Sequence, residues 1–307
     1  MNSTLISLIP KMKSLEVVAH LRPISLCNMN YKVVTKVIVN RLRPLLNELV
    51  GPEQASFISW RQSCDNVIII QELLHIMRKM KGKNGAMIIK IDLEKAYDRV
   101  MWDFLHQTLE WASIPHELIK LIMNCVQVEA TAILWNGEKS KSFVPSKGLR
   151  QGDPLSPYIF VFCMECLSYL ILQATKGQQW RGVKTSRVGP RITHIMFADD
   201  LLLCAEATPL QGQIVRSIMV EFCGISGQKI NMDKSKFVYS QNVKSTVVKE
   251  ISKIIGINET KNLGKYLGVP LFHSRVTKGM FQPLLDRVRM KLAGWKNPII
   301  CGESRLS

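Results

Sequence analysis

Two adjacent carboxylates, Asp199 and Asp200, lie between two apolar runs, residues 193–198 and 201–204, that are each about the length of one β-strand. Short apolar runs joined by a tight connection are typical of a hairpin, which would place both side chains at its tip. Two like charges side by side repel each other and persist most easily where a cation binds. Aspartate is also common in ordinary turns, so this motif alone leaves both interpretations open.

A third carboxylate, Asp92, ends the apolar run 86–91, which is typical of a central strand. If this strand neighbours the hairpin, Asp92 and Asp199 come together at one edge of a sheet. Hard cations such as Mg²⁺ prefer oxygen ligands, often one or two carboxylates together with substrate phosphates. Two such ions about 3.5–4 Å apart activate an attacking hydroxyl and stabilise the leaving oxygen in phosphoryl transfer.

A polar, glycine-containing loop at residues 146–157 directly precedes a long apolar helix that we predict to reach residue 174. Glycines before a helix N-terminus let the backbone approach a phosphate closely. An ordinary capped junction between a loop and a helix has the same pattern, and Asp153 is expected to cap this one. The loop therefore supports phosphate binding without establishing it.

Charge favours a polyanionic partner, with nucleic acid the first candidate, because the 307-residue chain carries a net charge of +17. Residues 228–296 alone hold 14 Lys and Arg against 4 Asp and Glu. A hydrophobic content of 47% is enough for a real core and excludes wholesale disorder. The carboxylates, the glycine loop and the charge together fit nucleotidyl transfer on a polynucleotide.

Location and cysteine usage point to an intracellular protein. No signal peptide is recognisable, and no stretch reaches the ~18 uninterrupted apolar residues of a membrane helix. We expect no transmembrane segment, and nuclear residence is plausible, although no basic import run is visible. The cysteines are expected to be reduced, and Cys163 and Cys166 to pack in the core. His194, on an apolar strand, is expected to be a core residue too.

Periodicity and turn signals predict the elements that must position these residues. Helices are predicted at 31–49, from Asp65 as N-cap to about 80, at 102–111, 115–126, 209–223, 246–255 and 280–295. Strands are predicted at 4–9, 86–92 and 265–271, and a further hairpin at 130–135 and 141–144 around Asn136-Gly137.

The chain resembles the reverse transcriptase domain of LINE-type (non-LTR) retrotransposons, especially those abundant in plants. The similarity runs from residue 2 to about 295 in the family order. The matching blocks are residues 21–26, 90–98, 148–157, 197–200, 226–236 and 266–268. The blocks Arg-Gln-Gly-Asp-Pro-Leu-Ser-Pro and Phe-Ala-Asp-Asp are weak separately but strong together at this spacing.

The resemblance implies two Mg²⁺ ions, with Mn²⁺ as a possible substitute, held mainly by Asp92 and Asp199 with Asp200 as a further or supporting ligand. Lys234 would donate a proton to the leaving pyrophosphate. Tyr97 would lie under the incoming sugar and exclude a 2′-hydroxyl. Tyr97 can also be a core aromatic and Lys234 a solvated lysine.

Further positions would bind the nucleotide or the primer. Arg22 and Lys32, in the fingers, would hold the triphosphate, although both can be plain surface cations. Residues lining the nucleotide pocket would be Arg150, Gln151 and Gly152. Residues supporting the primer end would be Tyr266, Leu267 and Gly268. Asp98 is left out of the metal site, because it can pair with Arg99 or cap a helix.

The implied fold is an α+β right-hand polymerase with an antiparallel palm sheet backed by helices. Residues 1–85 would form the fingers, 86–240 the palm with part of the fingers, and 241–307 the primer-grip strand and the start of a truncated thumb. The implied activity is RNA-directed DNA polymerisation, with an RNA template, a DNA primer and deoxynucleoside triphosphates as partners.

Two other functions remain open. A truncated, catalytically inactive remnant would retain the fold and at most bind nucleic acid, and a short thumb would weaken its grip on a duplex. An RNA-templated RNA polymerase would share the carboxylates, but Tyr97 disfavours it. The fingers loop also departs from the family, because Ser59-Trp60 stands before Arg61 where a glycine is usual.

Overall fold

A computed structural model describes residues 3–11, 17–127, 130–186, 189–272 and 278–295 of the chain. The strands within these residues are β1 Ser3–Pro10, β2 Leu21–Leu26, β3 Ala86–Ile91, β4 Ala130–Trp135, β5 Glu138–Lys139, β6 Val183–Lys184, β7 Arg191–Ile192, β8 His194–Phe197, β9 Asp200–Glu206, β10 Lys236–Tyr239, β11 Asn258–Glu259, β12 Lys265–Tyr266 and β13 Val269–Pro270. The α-helices are α1 Met29–Leu42, α2 Leu46–Leu49, α3 Ser63–Lys79, α4 Ala96–Arg99, α5 Trp102–Trp111, α6 His116–Val126, α7 Ser156–Lys176, α8 Pro209–Ser226, α9 Ser245–Ile255 and α10 Gln282–Trp295.

A five-stranded sheet with the order β11-β10-β3-β9-β8 forms the centre of the molecule. Its pairs are antiparallel except for β10 with β11. Side chains alternate between two buried faces: Ile89 and Ile91 of β3 belong to the larger core cluster, whereas Ile88 belongs to the smaller one. Two-sided burial explains why β3 and β9 are almost continuously apolar.

Helices cover both faces of this sheet. The larger cluster includes α5, α7 and α8, and the smaller one includes the buried side of α3 with Ile70 and Leu73. In the described part of the chain, α7 is long and apolar enough to cross a membrane, but 67% of its apolar window is buried inside the fold. We therefore interpret α7 as the core helix of this domain. Cys163, on α7, is buried as predicted.

A second sheet, with the order β2-β1-β4-β5, lies at one side. Asn136-Gly137 forms the predicted turn, and both residues have positive φ values of 50° and 86°. The returning strand is β5, and the predicted segment 141–144 pairs with β4 only through an isolated antiparallel bridge between Phe143 and Thr131. A two-residue turn restarts the pairing at once, so Trp135 faces Glu138.

Other boundaries differ for local reasons. The helix predicted at 31–49 is split into α1 and α2, because Pro44 cannot continue a helix. The N-cap of α3 is Gln62, so Asp65 is not the cap but a first-turn acid that suits the helix dipole. The strand predicted at 265–271 is a tight hairpin, in which Leu267 and Gly268 have φ values of 48° and 81°.

The remaining helix predictions are confirmed to within a few residues, and Thr208 caps α8 as its sequence indicates. The division into fingers, palm and thumb stays a prediction. Helix α3, which lies in the segment predicted as fingers, packs on the five-stranded sheet. Residues 296–307, in the predicted thumb, lie outside the described residues.

Candidate active site

The three carboxylates lie at one end of the five-stranded sheet. Strand β3 stops at Ile91, which faces Leu201 of β9, so Asp92 directly follows β3 at the end of the sheet where β9 begins with Asp200. Strands β8 and β9 are joined by a two-residue turn, Ala198-Asp199. The structure thus brings together the carboxylates that the sequence separates.

Asp92 and Asp199 line an open cleft of about 1120 Å³. Of the site residues predicted from the sequence, the cleft lining contains Arg22, Asp92, Tyr97, Arg150, Gln151, Gly152, Asp199 and Lys234. As far as the described residues define that lining, the positions left outside it are Lys32, Asp200, Tyr266, Leu267 and Gly268.

The surroundings of the turn disfavour negative charge on its carboxyl groups. Burial raises the pKa of Asp199, and the charge of Asp92 adds to the rise, while its own backbone amide and Arg22 offset part of it. Burial and the neighbouring Asp199 likewise raise the pKa of Asp200. A bound cation would relieve this repulsion, because an opposite charge nearby favours the ionised carboxylates.

Asp200 does not share the surroundings of Asp199. It starts β9 on the sheet face that carries Leu202, which packs with Tyr266 in the smaller core cluster. The Lys90 ammonium lowers the pKa of Asp200 against the larger effects of burial and Asp199. Within the described ranges, no three His, Cys, Asp or Glu side chains converge to hold an ion by themselves. The two cleft carboxylates therefore need oxygen atoms from elsewhere to complete any metal site.

Tyr97 lies on the short helix α4, directly after the loop that leaves β3. Its ring stacks on Phe160 of α7, with ring centroids 4.6 Å apart and an interplanar angle of 12°. Burial raises the pKa of Tyr97, and the charge of Asp199 contributes to the rise. The ring is therefore packed against the core, as one of the two interpretations expected, and it also lines the cleft. Its role beneath an incoming sugar stays a prediction.

The glycine loop is held against α4 and β2. Gly148 has a φ of 97°, and a Cβ there would lie 2.9 Å from the carbonyl oxygen of Asp98. The side-chain amide of Gln151 donates to Asp98 Oδ1 at 3.2 Å, and the backbone carbonyl of Gln151 accepts from Ser25 N at 2.8 Å. The prediction that Asp98 pairs with Arg99 or caps a helix is not what is observed, since Arg99 pairs instead with Glu94 at 3.5 Å.

Arg150 lines the cleft but directs its guanidinium into the core. That group lies 4.3 Å from the centre of the Tyr31 ring and donates to Thr4 Oγ1 at 3.2 Å and to the carbonyl of Cys125. Asp153 is not the predicted cap of α7, because the N-cap of that helix is Leu155 and has no side-chain hydrogen bond; Asp153 Oδ1 accepts from Leu155 N at 3.0 Å instead. We interpret Arg150 as a residue that shapes the loop instead of one whose charge contacts a nucleotide.

Lys234 is exposed at the cleft, on a turn that is tied to Asp92. Asn231 N donates to the Asp92 carbonyl at 2.8 Å, and the Asp92 amide donates to Ser235 Oγ at 3.0 Å. Lys234 N in turn donates to Asn231 Oδ1 at 3.2 Å. The sequence block 226–236 pointed to this turn, but it did not indicate that Ser235 holds the end of β3.

The predicted primer-grip residues lie on the opposite face of the sheet. Tyr266 is 1% exposed in the smaller core cluster, and the Lys90 ammonium donates to the Lys265 carbonyl at 2.6 Å. Burial raises the pKa of Tyr266, and the charge of Asp200 contributes to the rise. Lys32 is on the first turn of α1, near Cys27. His194 is buried against Ser168, as predicted for a core residue.

The sequence missed two polar residues at the turn. The Ala198 amide donates to Gln54 Oε1 at 3.0 Å and to Ser56 Oγ at 2.8 Å. Both acceptors come from the loop that precedes α3, about 140 residues earlier in the chain. No periodic or motif signal marks such long-range contacts.

A family model described as reverse transcriptase (RNA-dependent DNA polymerase) matches residues 9–271 of the chain. The chain is 27% identical, over 292 residues, to an uncharacterised 149 kDa protein of transposon TX1 from Xenopus laevis, a match that covers 95% of the chain and 22% of that protein. It is 29% identical, over 270 residues, to the retrovirus-related Pol polyprotein of the type-2 retrotransposable element R2DM from Drosophila melanogaster, covering 85% and 24%. The chain thus spans about a quarter of the length of these curated relatives.

Among solved structures, telomerase from Candida tropicalis in complex with a fragment of telomeric RNA superposes with a TM-score of 0.58 and 13% sequence identity. The superposition covers 92% of this chain and 45% of the telomerase chain. At this identity the similarity concerns the fold alone, and it confirms the predicted α+β right-hand polymerase architecture.

Proposed function

The chain belongs to the reverse transcriptase family, and we propose that it is the RNA-directed DNA polymerase domain of a non-LTR retroelement. The single observation that carries the proposal is that Asp92 and Asp199 line the same cleft. Asp92 follows the end of β3, and Asp199 is on the turn of the β8–β9 hairpin, whose strand β9 is the neighbour of β3. That the element is of plant type stays a prediction.

The proposed reaction is attack of a primer 3′-hydroxyl on the α-phosphate of a deoxynucleoside triphosphate. A new phosphodiester bond forms, the bond between the α- and β-phosphates breaks, and pyrophosphate leaves. The template is RNA and the primer is DNA. The net charge of +17 supports a polynucleotide partner, since phosphate neutralisation dominates such affinity.

The donor set in the cleft fits a divalent metal. Asp92 and Asp199 offer hard oxygen ligands, and their mutual repulsion would be relieved by a cation. They would hold Mg²⁺, with Mn²⁺ as a substitute, and substrate phosphates would complete the coordination. Two such ions, when bound, lower the barrier to nucleophile formation and to pyrophosphate departure. Asp200 would support the pair from the other face of β9.

The remaining cleft residues would bind and discriminate the nucleotide. Arg22 is an exposed cation of the cleft lining whose charge acts on Asp199, and this supports a role in holding the triphosphate. Gln151 and Gly152 line the cleft and would border the nucleotide, and the Tyr97 ring, which stacks on Phe160, would lie beneath the sugar. Lys234 would protonate the leaving pyrophosphate. Tyr266, Leu267 and Gly268 would support the primer from the hairpin beyond Asp200.

The test is primer extension by the purified chain on an oligo(dT)-primed poly(rA) template with dTTP and Mg²⁺. We expect metal-dependent extension by the wild type and none by Asp199→Asn, which keeps the side-chain shape. Asp103→Asn is the matched control, because Asp103 is exposed in the first turn of α5. Absence of extension by a folded wild-type chain would contradict the proposal and favour a catalytically inactive remnant. Equal use of UTP would favour an RNA polymerase.

A further inference from the structure

The turn that carries Asp199 is held from outside its own hairpin. Ala198, the first residue of the turn, has a φ of 53°, a left-handed conformation that residues other than glycine enter only at a cost. Its amide cannot be satisfied within a two-residue hairpin of this shape alone, and it donates to both Gln54 and Ser56. Both acceptors are completely buried.

The hydrogen-bond directions at this point are fixed by chemistry. The single hydroxyl proton of Ser56 is donated to Gln54 Oε1 at 2.8 Å, so Ser56 Oγ faces the Ala198 amide only as an acceptor. Gln54 Oε1 also accepts from Ser56 N at 3.1 Å. Gln54 therefore orients Ser56, and the two residues together hold one backbone amide of the turn.

The loop that supplies these residues is itself anchored to β8. Met196 N donates to the Glu53 carbonyl at 2.8 Å, and Ala55 N donates to the Met196 carbonyl at 3.1 Å, so the loop extends the sheet edge beside the turn. The Arg61 guanidinium donates to the Gln54 carbonyl at 2.7 Å and to the Val50 carbonyl at 2.8 Å. The loop is thus fastened to itself by Arg61 and to β8, the strand that leads into Asp199.

We propose that Gln54 and Ser56 are positioning residues for Asp199: by holding the Ala198 amide, they fix the turn so that the Asp199 carboxylate faces Asp92 across the cleft. This rests on the proposed polymerase function. Neither residue belongs to the cleft lining, as far as the described residues define it, so we infer that they act through the backbone. If one acceptor is removed, the Ala198 amide keeps the other. If both are removed, this buried amide has no hydrogen-bond acceptor, which is costly.

The experiment compares Ser56→Ala, Gln54→Met and the double variant. We expect small losses in kcat for the single changes and a loss of about 10²-fold for the double change, more than the product of the two, with KM for dTTP nearly unchanged. Mn²⁺ binding to the isolated protein, followed by electron paramagnetic resonance, should weaken roughly tenfold in the double variant.

Ser168→Ala is the matched control. It removes a buried hydrogen bond of 2.9 Å to His194, at the opposite end of β8, so it tests whether lost stability alone produces these effects. We expect a lower melting temperature with unchanged kcat and Mn²⁺ affinity.

A double variant that is folded and retains wild-type kcat and Mn²⁺ affinity would overturn the positioning role. Equal losses in Ser168→Ala would also overturn it, because the effect would then be general destabilisation. If the wild type binds Mn²⁺ but extends no primer, the polymerase proposal fails, and the positioning role is decided by the Mn²⁺ titration alone. A wild type that neither extends nor binds Mn²⁺ overturns both.

Discussion

Glu165 should make the stability of this domain depend on pH near neutrality. It lies on α7, is 7% exposed, and accepts a hydrogen bond from Gly51 N at 3.2 Å through Oε1. Within the described part of the chain nothing donates to its buried Oε2. Burial raises the pKa of Glu165 from about 4.5 to about 7, and the neighbouring Glu53 adds to the rise.

A raised carboxyl pKa means that the folded state holds its proton more tightly than the unfolded state does. The stability from this group is fully present below pH 4.5 and is lost as pH rises through 7. A rise of the pKa from about 4.5 to about 7 corresponds to about 3 kcal/mol of stability. Most of this loss falls between pH 5 and pH 8.

Glu165→Gln removes the ionisation and can still accept from Gly51 N. The side-chain NH₂ group of the glutamine is also a hydrogen-bond donor, and it would lie near Glu53. The buried Oε2 of Glu53 likewise has no donor among the described residues. We therefore compare the free energy of unfolding of the variant with that of the wild type at each pH. The difference should favour the variant by about 2–3 kcal/mol more at pH 8 than at pH 5.

Urea unfolding of both proteins at the two pH values measures this difference, and other titrating groups cancel in the comparison. Glu48→Gln is the control, because Glu48 is an exposed carboxylate that lines a small surface pocket together with Glu165, and it should show no such dependence. A stability difference between Glu165→Gln and the wild type that is the same at pH 5 and pH 8 would refute the reasoning.

Three further changes test other parts of the molecule. Trp60 is 95% exposed at a φ of 70°, so Trp60→Gly should be about 1 kcal/mol more stable than Trp60→Ala in chemical denaturation; equal stabilities would show that the backbone there is unstrained. Tyr97→Val should raise incorporation of UTP relative to dTTP on the order of tenfold in primer extension, whereas Tyr97→Phe should not; unchanged discrimination in both would remove Tyr97 from the sugar site. Arg150→Ala should lower the free energy of unfolding by about 3 kcal/mol, because its guanidinium packs on Tyr31 and donates into the core; a raised KM for dTTP at unchanged stability would instead favour a nucleotide contact.

The sequence was sufficient to predict the elements whose patterns are local. Buried strands such as β3 are continuous apolar runs, Asn136-Gly137 fixes a hairpin, and Thr208-Pro209 starts a helix. The convergence of Asp92 with Asp199 also followed, once both were assigned to neighbouring strands of one sheet. These predictions depend on periodicity and turn chemistry, which a single chain segment carries by itself.

Side-chain direction and long-range polar contacts could not be predicted in this way. Arg150 stands in the glycine loop as expected, but which way its guanidinium turns depends on Tyr31 and Thr4, far away in the chain. Gln54 and Ser56 lie in a loop without periodicity, and their partner amide is on another element. A sequence pattern records the type of such residues but not the atom that they will meet.

The two adjacent aspartates show how strand geometry divides what the sequence joins. Successive residues of a strand face opposite sides of a sheet. The Asp199-Asp200 motif therefore does not form one site when Asp200 is the first residue of a strand and Asp199 lies on the turn before it. Asp199 is on the turn and lines the cleft with Asp92, whereas Asp200 begins β9 and interacts with Lys90 and Tyr266. Neutralising Asp200 should therefore disturb the Tyr266 hairpin as well as the metal affinity. Neutralising Asp199 should act on the cleft alone.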